Sequence, residues 1–167
     1  LEERGQPCDV VFEDKIPLTL IGKNDVKTLN DPNDFKDHNS LYSIIKENCE
    51  FYGSSYEGRC IGTKYLTGIK SKFPIIVEES RNLIFFPTNS IRNNQSCWIA
   101  LNKIKEYRKK KIFNKEVNEF NTISKIIFTN DEIIDLNISF YSLENQICRA
   151  AMLKSKLYDL KSKEKIK

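Results

Sequence analysis

Apolar and polar positions alternate with different periods along this chain, and each change of period marks an element. Val10-Val11-Phe12 and Leu18-Thr19-Leu20-Ile21 are short apolar runs separated by charged turn residues and Pro17, which predicts two strands. Residues 24–40 are rich in Asn and Asp, show no period and are expected to be mobile. Leu41, Ile44, Ile45 and Cys49 recur at helical spacing, so residues 40–49 predict a short helix. Strand-like runs then follow in quick succession at 65–69, 73–77, 83–86 and 97–101. Many short strands in a row point to an antiparallel sheet or a small, partly open barrel.

Residues 125–128 and 132–136 flank Thr129-Asn130-Asp131, which tolerate left-handed turn geometry, and together they predict a hairpin. Beyond it Leu143, Ile147, Ala150, Leu153, Leu157 and Leu160 recur every three or four residues, with Ser142 placed to cap the start and Glu144 in the first turn. That long helix is expected to turn its apolar stripe to the core and to leave Arg149, Lys154, Lys156 and Lys161 on its other faces. The fold class is therefore α+β: mostly antiparallel strands, a short helix before the glycine-rich segment and a long C-terminal helix. A chain of 167 residues and 19.5 kDa is long enough for one core. One domain is expected over residues 1–160, with the first 40 acidic and partly mobile, followed by a frayed basic tail at 161–167.

The glycine-rich segment, residues 51–63 (FYGSSYEGRCIGT), holds three glycines, three aromatics, two serines and an arginine. Gly53, Gly58 and Gly62 open backbone conformations closed to residues with a Cβ, while Phe51, Tyr52 and Tyr56 supply flat apolar surface. It reads as a structured loop; the plainer reading is a tight connection whose aromatics plug the core. Charge supplies the context. The net charge of +4 is modest, but residues 1–50 hold 6 basic and 11 acidic groups, 51–111 hold 12 and 4, and 112–167 hold 9 and 8. The positive field thus sits in the middle third, as expected of a nucleic-acid binder, although a solvated basic face without a partner fits the same numbers.

Several function classes drop out. Cys8, Cys49, Cys60, Cys97 and Cys148 are odd in number, widely spaced and without a Cys-x-x-Cys pair, which suits neither a disulfide framework nor a structural zinc site; reduced thiols are expected. His38 is the only histidine, so arrangements needing two imidazoles are excluded. The apolar runs at 74–77 and 83–87 fall far short of the ~20 residues of a membrane span, and the opening Leu1-Glu2-Glu3-Arg4-Gly5-Gln6 lacks the pattern of a secretory signal. A cytoplasmic protein is expected. The phosphate-loop likeness of residues 62–71 (GTKYLTGIKS) fails because Ile69 separates Gly68 from Lys70. Residues 53–58 (GSSYEG) miss the nucleophile-elbow spacing by one position, and Asp131, Glu132 and Asp135 do not match a calcium loop.

Uncommon words recur in one order: FYGSSYEGR at 51–59, Gly62-Thr63, Phe85-Phe86-Pro87-Thr88, Cys97-Trp98-Ile99, and ISFYSLENQICR at 138–149. Together, from roughly Cys49 to Asp159, they resemble the ComK family of competence transcription factors of Firmicutes bacteria. The resemblance implies a cytoplasmic, nucleoid-associated activator of competence (DNA uptake) genes that needs no cofactor. It also implies binding to AT-rich boxes of double-stranded DNA largely through the minor groove, and self-association on paired boxes. Activation would follow from contact with RNA polymerase or displacement of a repressor. Family members usually run longer at the carboxyl end, in an extension associated with an adaptor that delivers them to a proteolytic machine. No matching stretch is present here, so the resemblance does not carry adaptor-controlled degradation over to this sequence.

A narrow A·T minor groove concentrates negative potential and attracts Arg or Lys, while Asn and Gln donate to its acceptors. The candidate DNA-facing residues are Arg59, Lys64, Lys70, Lys72 and the loop Arg92-Asn93-Asn94-Gln95. Lys103, Lys105, Arg108, Lys109, Lys110 and Lys111, the densest basic run, are expected to grip phosphates. For each of them an exposed cation without a specific partner is the competing reading. The rings of Phe51, Trp98 and Phe140 are assigned to core packing. Two other functions stand beside the activator: a regulatory relative of the same fold that does not bind DNA, and a nucleic-acid-processing enzyme dependent on a metal.

Overall fold

Strands made wholly of apolar residues must be covered on both faces, and three strands of this chain are nearly of that kind. They are β3 (Ile75–Glu78), β4 (Leu83–Pro87) and β5 (Trp98–Ala100), in which every residue but Glu78 is buried. The computed structural model describes residues 10–13, 16–20, 41–89 and 97–166. The two strands expected near the start form as β1 (Val10–Glu13) and β2 (Ile16–Leu20), with Pro17, expected between them, inside β2; they pair with each other and extend the sheet. The result is an antiparallel sheet of five strands in the order β1-β2-β5-β4-β3. Residues 24–40, expected to be mobile, and the loop carrying Arg92, Asn93, Asn94 and Gln95 lie outside the described residues.

Side chains alternate across a strand, so each face of this sheet needs its own cover. On one face Ile75, Val77, Leu83, Phe85, Trp98 and Ala100 pack with Ile45 and Cys49 of α1 (Leu41–Phe51) and Tyr56 of α2 (Tyr56–Thr67). The Trp98 and Tyr56 rings meet edge to face at 6.3 Å. The other face presents Ile76, Ile84, Phe86 and Ile99 to Leu143, Ala150, Leu153 and Leu157 of α3 (Phe140–Ile166). Burying each large side chain contributes about 1.5–3 kcal/mol, so the two layers together outweigh any single polar contact. Ile126, Phe128 and Leu136 join this second layer from a three-stranded antiparallel sheet. Its strands are β6 (Ile104–Asn114), β7 (Glu119–Phe128) and β8 (Ile133–Leu136). The fold is α+β as expected, and among the described residues the two sheets do not close into a barrel.

The glycine-rich segment is not one loop. It is the end of α1, a turn at Gly53 (φ +82°), and the start of α2. Ser55 caps α2 by accepting from the Gly58 N–H at 3.0 Å; a Cβ on Gly58 would lie 2.9 Å from Ser55 Oγ, so glycine makes room for the cap. The helix ends at Gly68, in left-handed geometry, whose N–H donates to the Lys64 carbonyl at 2.8 Å. The strand expected over 65–69 is therefore the last turn of α2 and its cap. Tyr56, Cys60 and Thr63 recur at helical spacing on the packed side, and the Thr63 hydroxyl donates to the Pro74 carbonyl at 2.7 Å. That burial and the two caps outweigh the cost of about 1 kcal/mol for each interior glycine.

The hairpin at β7 and β8 forms as expected, with Asp131 at φ +69° in its turn. For α3 the capping residue is Ser139 rather than Ser142: the Ser142 N–H donates to Ser139 Oγ at 3.0 Å, and no acidic residue lies in the first turn. Of the expected stripe Leu143, Ala150, Leu153 and Leu157 are buried and Ile147 is half-buried, but Leu160 is exposed. Helix α3 continues through 161–166, the stretch expected to fray, and the Lys161 ammonium donates to the Glu79 carbonyl at 2.9 Å. Phe51, assigned to the core, is 75% exposed, because α1 turns Ile45 and Cys49 inward instead. Cys49, Cys60, Cys97 and Cys148 are free thiols, and burial pushes the Cys49 thiol up to about 11.

One polar side chain crosses the second layer. Gln146 is buried and its amide donates to the Pro87 carbonyl at 2.6 Å and to the Lys72 carbonyl at 3.2 Å. Gln146→Leu is expected to cost about 1–3 kcal/mol, since it leaves the Pro87 carbonyl buried without its donor. A lower midpoint in urea titration with an unchanged slope is the result to look for; an unchanged midpoint would refute the assignment.

At the β3–β4 turn, partial burial raises the Glu78 carboxyl, but hydrogen bonds from Ser80 Oγ and from the Ser80 and Arg81 N–H groups outweigh it and hold the group below the usual carboxylate range. A depressed carboxyl stabilises the fold above its unfolded-state pKa, and the contribution is lost as pH falls through the folded value. Glu78→Gln should therefore flatten the acid limb of stability against pH below about 4.5 and leave its shape at neutral pH unchanged.

Candidate nucleic-acid interface

Strands β6 and β7 outgrow the core they start from. Tyr107 pairs with Ile126, Lys109 with Ser124, Lys111 with Thr122 and Phe113 with Phe120, ending in a turn at 115–118 with Asn118 at φ +53°. Ser124, Ile126 and Phe128 are buried, whereas every residue from Arg108 to Asn121 is exposed except the half-buried Asn114. The distal hairpin is thus a two-stranded ribbon about 20 Å long that no other element covers among the described residues.

Because residues alternate across a strand, the basic run divides between the two faces of this ribbon. Glu106, Arg108, Lys110, Ile112 and Asn114 share one face with Lys125 and, through β8, Asp135. This is the face on which the cations are paired. Arg108 pairs with Glu106 and Lys110 with Asp135. Just outside it, Lys105 pairs with Asp131 at 2.9 Å. The hydrogen bond from Arg108 lowers the Glu106 carboxyl, and that from Lys105 to Asp131 raises the lysine, so both pairs remain ionised. Near the tip a shallow recess is lined by Ile112, Asn114, Asn121, Ile123 and Asn137, with three side-chain amides, and by Phe113, Lys115 and Glu116 at the turn.

The opposite face carries Tyr107, Lys109, Lys111 and Phe113 with Thr122 and Phe120 across from them. At its base Tyr107 stacks on Phe140 at 5.6 Å, and the Lys109 ammonium lies 5.4 Å from the centre of the same ring. Phe140 is therefore half-buried at the join of α3 and ribbon, and not a core plug. No carboxylate pairs with Lys109 or Lys111 among the described residues. A polyanion approaching this face meets unpaired cations, whereas the other face offers cations already matched.

The remaining candidates scatter around the body. Lys70 and Lys72 are exposed on the loop after α2, and the Lys72 carbonyl is held by Gln146, about 9 Å along α3 from Phe140. They sit at the ribbon's end of the helix. Lys64 is exposed on the last turn of α2, and the Lys103 carbonyl accepts from the Thr129 N–H beside the β7–β8 turn. Arg59 is elsewhere and occupied: it pairs with Glu79 at 2.7 Å and donates to Ser54 Oγ at 3.2 Å. Glu79 also accepts Lys161, which places Arg59 near the far end of α3, about 30 Å along the axis from Phe140.

Lys115, Phe113, Phe120, Asn114, Asn121 and Asn137 join the candidate interface without being marked by charge density or composition. The available signal was the near-mirror spacing of Lys111-x-Phe113 and Phe120-x-Thr122 about a turn containing Asn118, masked by four consecutive basic residues that hide the alternation. Among the described residues no group of three or more His, Cys, Asp or Glu side chains could hold a metal ion. Nor is any described helix long and apolar enough to cross a membrane.

The sequence matches the family described as "ComK protein" over residues 21–162. It is 37% identical over 116 residues to the "Competence transcription factor" of Bacillus subtilis (strain 168), a match that covers 70% of this chain and 56% of the relative. The chain thus spans little more than half the length of that relative. No solved structure matches it.

The division of charge between the two faces generates a direct test. Lys109→Glu with Lys111→Glu should lower the salt concentration at which the protein elutes from heparin more than Lys105→Glu with Lys110→Glu does. Equal shifts for the two pairs would show that the faces are equivalent to a polyanion.

Proposed function

The chain belongs to the ComK family, and on that premise we propose that it is a DNA-binding transcription activator of competence genes whose main contact with the duplex is the β6–β7 ribbon. The observation that carries this reading is a projecting hairpin face on which neither Lys109 nor Lys111 has a carboxylate partner among the described residues. Phosphates lie on both sides of a groove, and a thin ribbon with cations on both faces reaches both walls. Lys109, Lys111 and Lys115 make the primary contacts; Lys70 and Lys72 add to them from the loop at the same end of α3. Surface ion pairs such as Lys110–Asp135 are worth only about 0–1 kcal/mol, so phosphates displace them at little cost.

Preference for AT-rich boxes follows from the minor groove. There A·T pairs present acceptors alone, and the amides of Asn114, Asn121 and Asn137 supply donors beside the tip. Self-association on paired boxes multiplies the specificity of two weak readers through effective concentration. Arg59 is given no role at the duplex, since Glu79 and Ser54 hold it at the other end of α3. The protein acts in the cytoplasm on the nucleoid, and contact with RNA polymerase or displacement of a repressor completes activation.

Gel-shift titration on an AT-box duplex tests the reading. With about six phosphate contacts the slope of log affinity against log salt should be roughly −5, and each of Lys109→Ala and Lys111→Ala should reduce its magnitude by about 0.9. Arg59→Glu should leave the slope unchanged. Absence of salt-dependent binding to any duplex would favour a regulatory relative that does not bind DNA.

A further inference from the structure

The ribbon ends in an apolar tip that the fold does not explain. Phe113 and Phe120 face one another across the strands with ring centres 5.1 Å apart and planes at 58°, and they are 44% and 68% exposed. Val117 in the turn and Ile112 beside it are exposed as well. Among the described residues Asn137 is the one side chain from outside the ribbon that lines the recess beside them, and the neighbouring strand and turn residues are charged or polar, Glu116 and Glu119 included. A patch of aromatic surface at the end of a basic hairpin calls for a partner that is apolar at one point and anionic on both sides of it.

We infer that the Phe113–Phe120 pair is a wedge that enters between two stacked base pairs of duplex DNA while Lys109, Lys111 and Lys115 hold the phosphates flanking that step. A second copy of this chain is the alternative occupant, since the tip carries Glu116 and Glu119 as well as Lys111 and Lys115, and the test below separates the two. DNA supplies both chemistries at once: flat aromatic faces between base pairs and phosphates at their edges.

The dimensions favour a wedge as well. The minor groove of undistorted B-DNA is about 6 Å wide, whereas two strands about 4.8 Å apart, with side chains on both faces, need more. An apolar side chain inserted at a base step unstacks it, kinks the duplex toward the major groove and opens the minor groove. The rings at the tip would thus create the space that the rest of the ribbon occupies. Pyrimidine–purine steps unstack most readily, so insertion should favour a TA step within an AT-rich box.

This inference rests on the proposed DNA binding, and the test separates the two. An AT-box duplex carrying 2-aminopurine at a TA step is titrated with wild type and with Phe113→Ala/Phe120→Ala, each checked by circular dichroism for intact folding. Wild-type binding should raise the 2-aminopurine emission. The double variant should lose roughly 5- to 150-fold in affinity, keep its salt slope, since no cation is removed, and give no emission rise. Phe120→Trp keeps an aromatic tip and should show its added emission quenched by the duplex.

Wild-type binding without an emission rise, or a double variant that binds and raises emission like wild type, overturns the wedge and leaves DNA binding intact. No wild-type binding at all overturns the reading beneath it. Should the double variant change the sedimentation of the DNA-free protein and leave duplex affinity unaltered, the tip is a contact between copies and the wedge is refuted.

Discussion

The covering of strands β3, β4 and β5 on both faces is the constraint from which the rest of the structure follows. All five residues of β4 are buried, with Phe85 turned toward α1 and α2 and Phe86 toward α3. A strand in that position cannot face water, so the helices are obliged to take opposite sides of the sheet. Helix α3 then meets more than the first sheet: its stripe from Leu143 to Leu157 shares a layer with Ile126, Phe128 and Leu136 of the second. The helix that covers one sheet therefore also fixes the root of the ribbon. Gln146 adds direction to a layer that is otherwise non-directional, because its amide must find the Pro87 and Lys72 carbonyls together.

Beyond that root the ribbon is free of packing demands. Among the described residues its outer half covers nothing, so its composition is not set by core packing. The pairing register places Glu106, Asp135 and their cationic partners on one side, and Lys109, Lys111 and the two phenylalanines on the other. Charge balance on one face keeps the hairpin from repelling itself; imbalance on the other leaves a field that a polyanion can neutralise. The proposed function and the proposed wedge both depend on this asymmetry, which a net charge of +4 conceals.

How far the fold could be read beforehand depended on how periodic each stretch was. The apolar runs of β3, β4 and β5, the hairpin around Thr129-Asn130-Asp131 and the stripe of α3 are strong local signals, and the structure contains each of them. Helix α2 was hidden because Gly58 and Gly62 read as breakers, although Ser55, Glu57 and the spacing of Tyr56, Cys60 and Thr63 spelled out a capped helix. The cap of α3 lies three residues earlier than expected, which brings Phe140 onto the helix and against Tyr107. For the candidate site, the density of lysines was legible and their distribution was not. Arg59 and Lys109 are alike as isolated cations, but one is held by Glu79 and the other lies over an aromatic ring without a carboxylate partner among the described residues.

The sequence by itself determined the local choices: which stretches extend, which coil, that the middle third is basic, and which family the chain resembles. Those properties depend on neighbours a few positions apart, where periodicity, capping and composition act. Tertiary structure alone decided which cations share a face, which are matched by carboxylates, and that two phenylalanines seven positions apart meet at an exposed tip. The physical reason is strand register: a shift of one residue moves every side chain to the opposite face, and register is set by long-range pairing and by the core beneath Ser124 and Ile126.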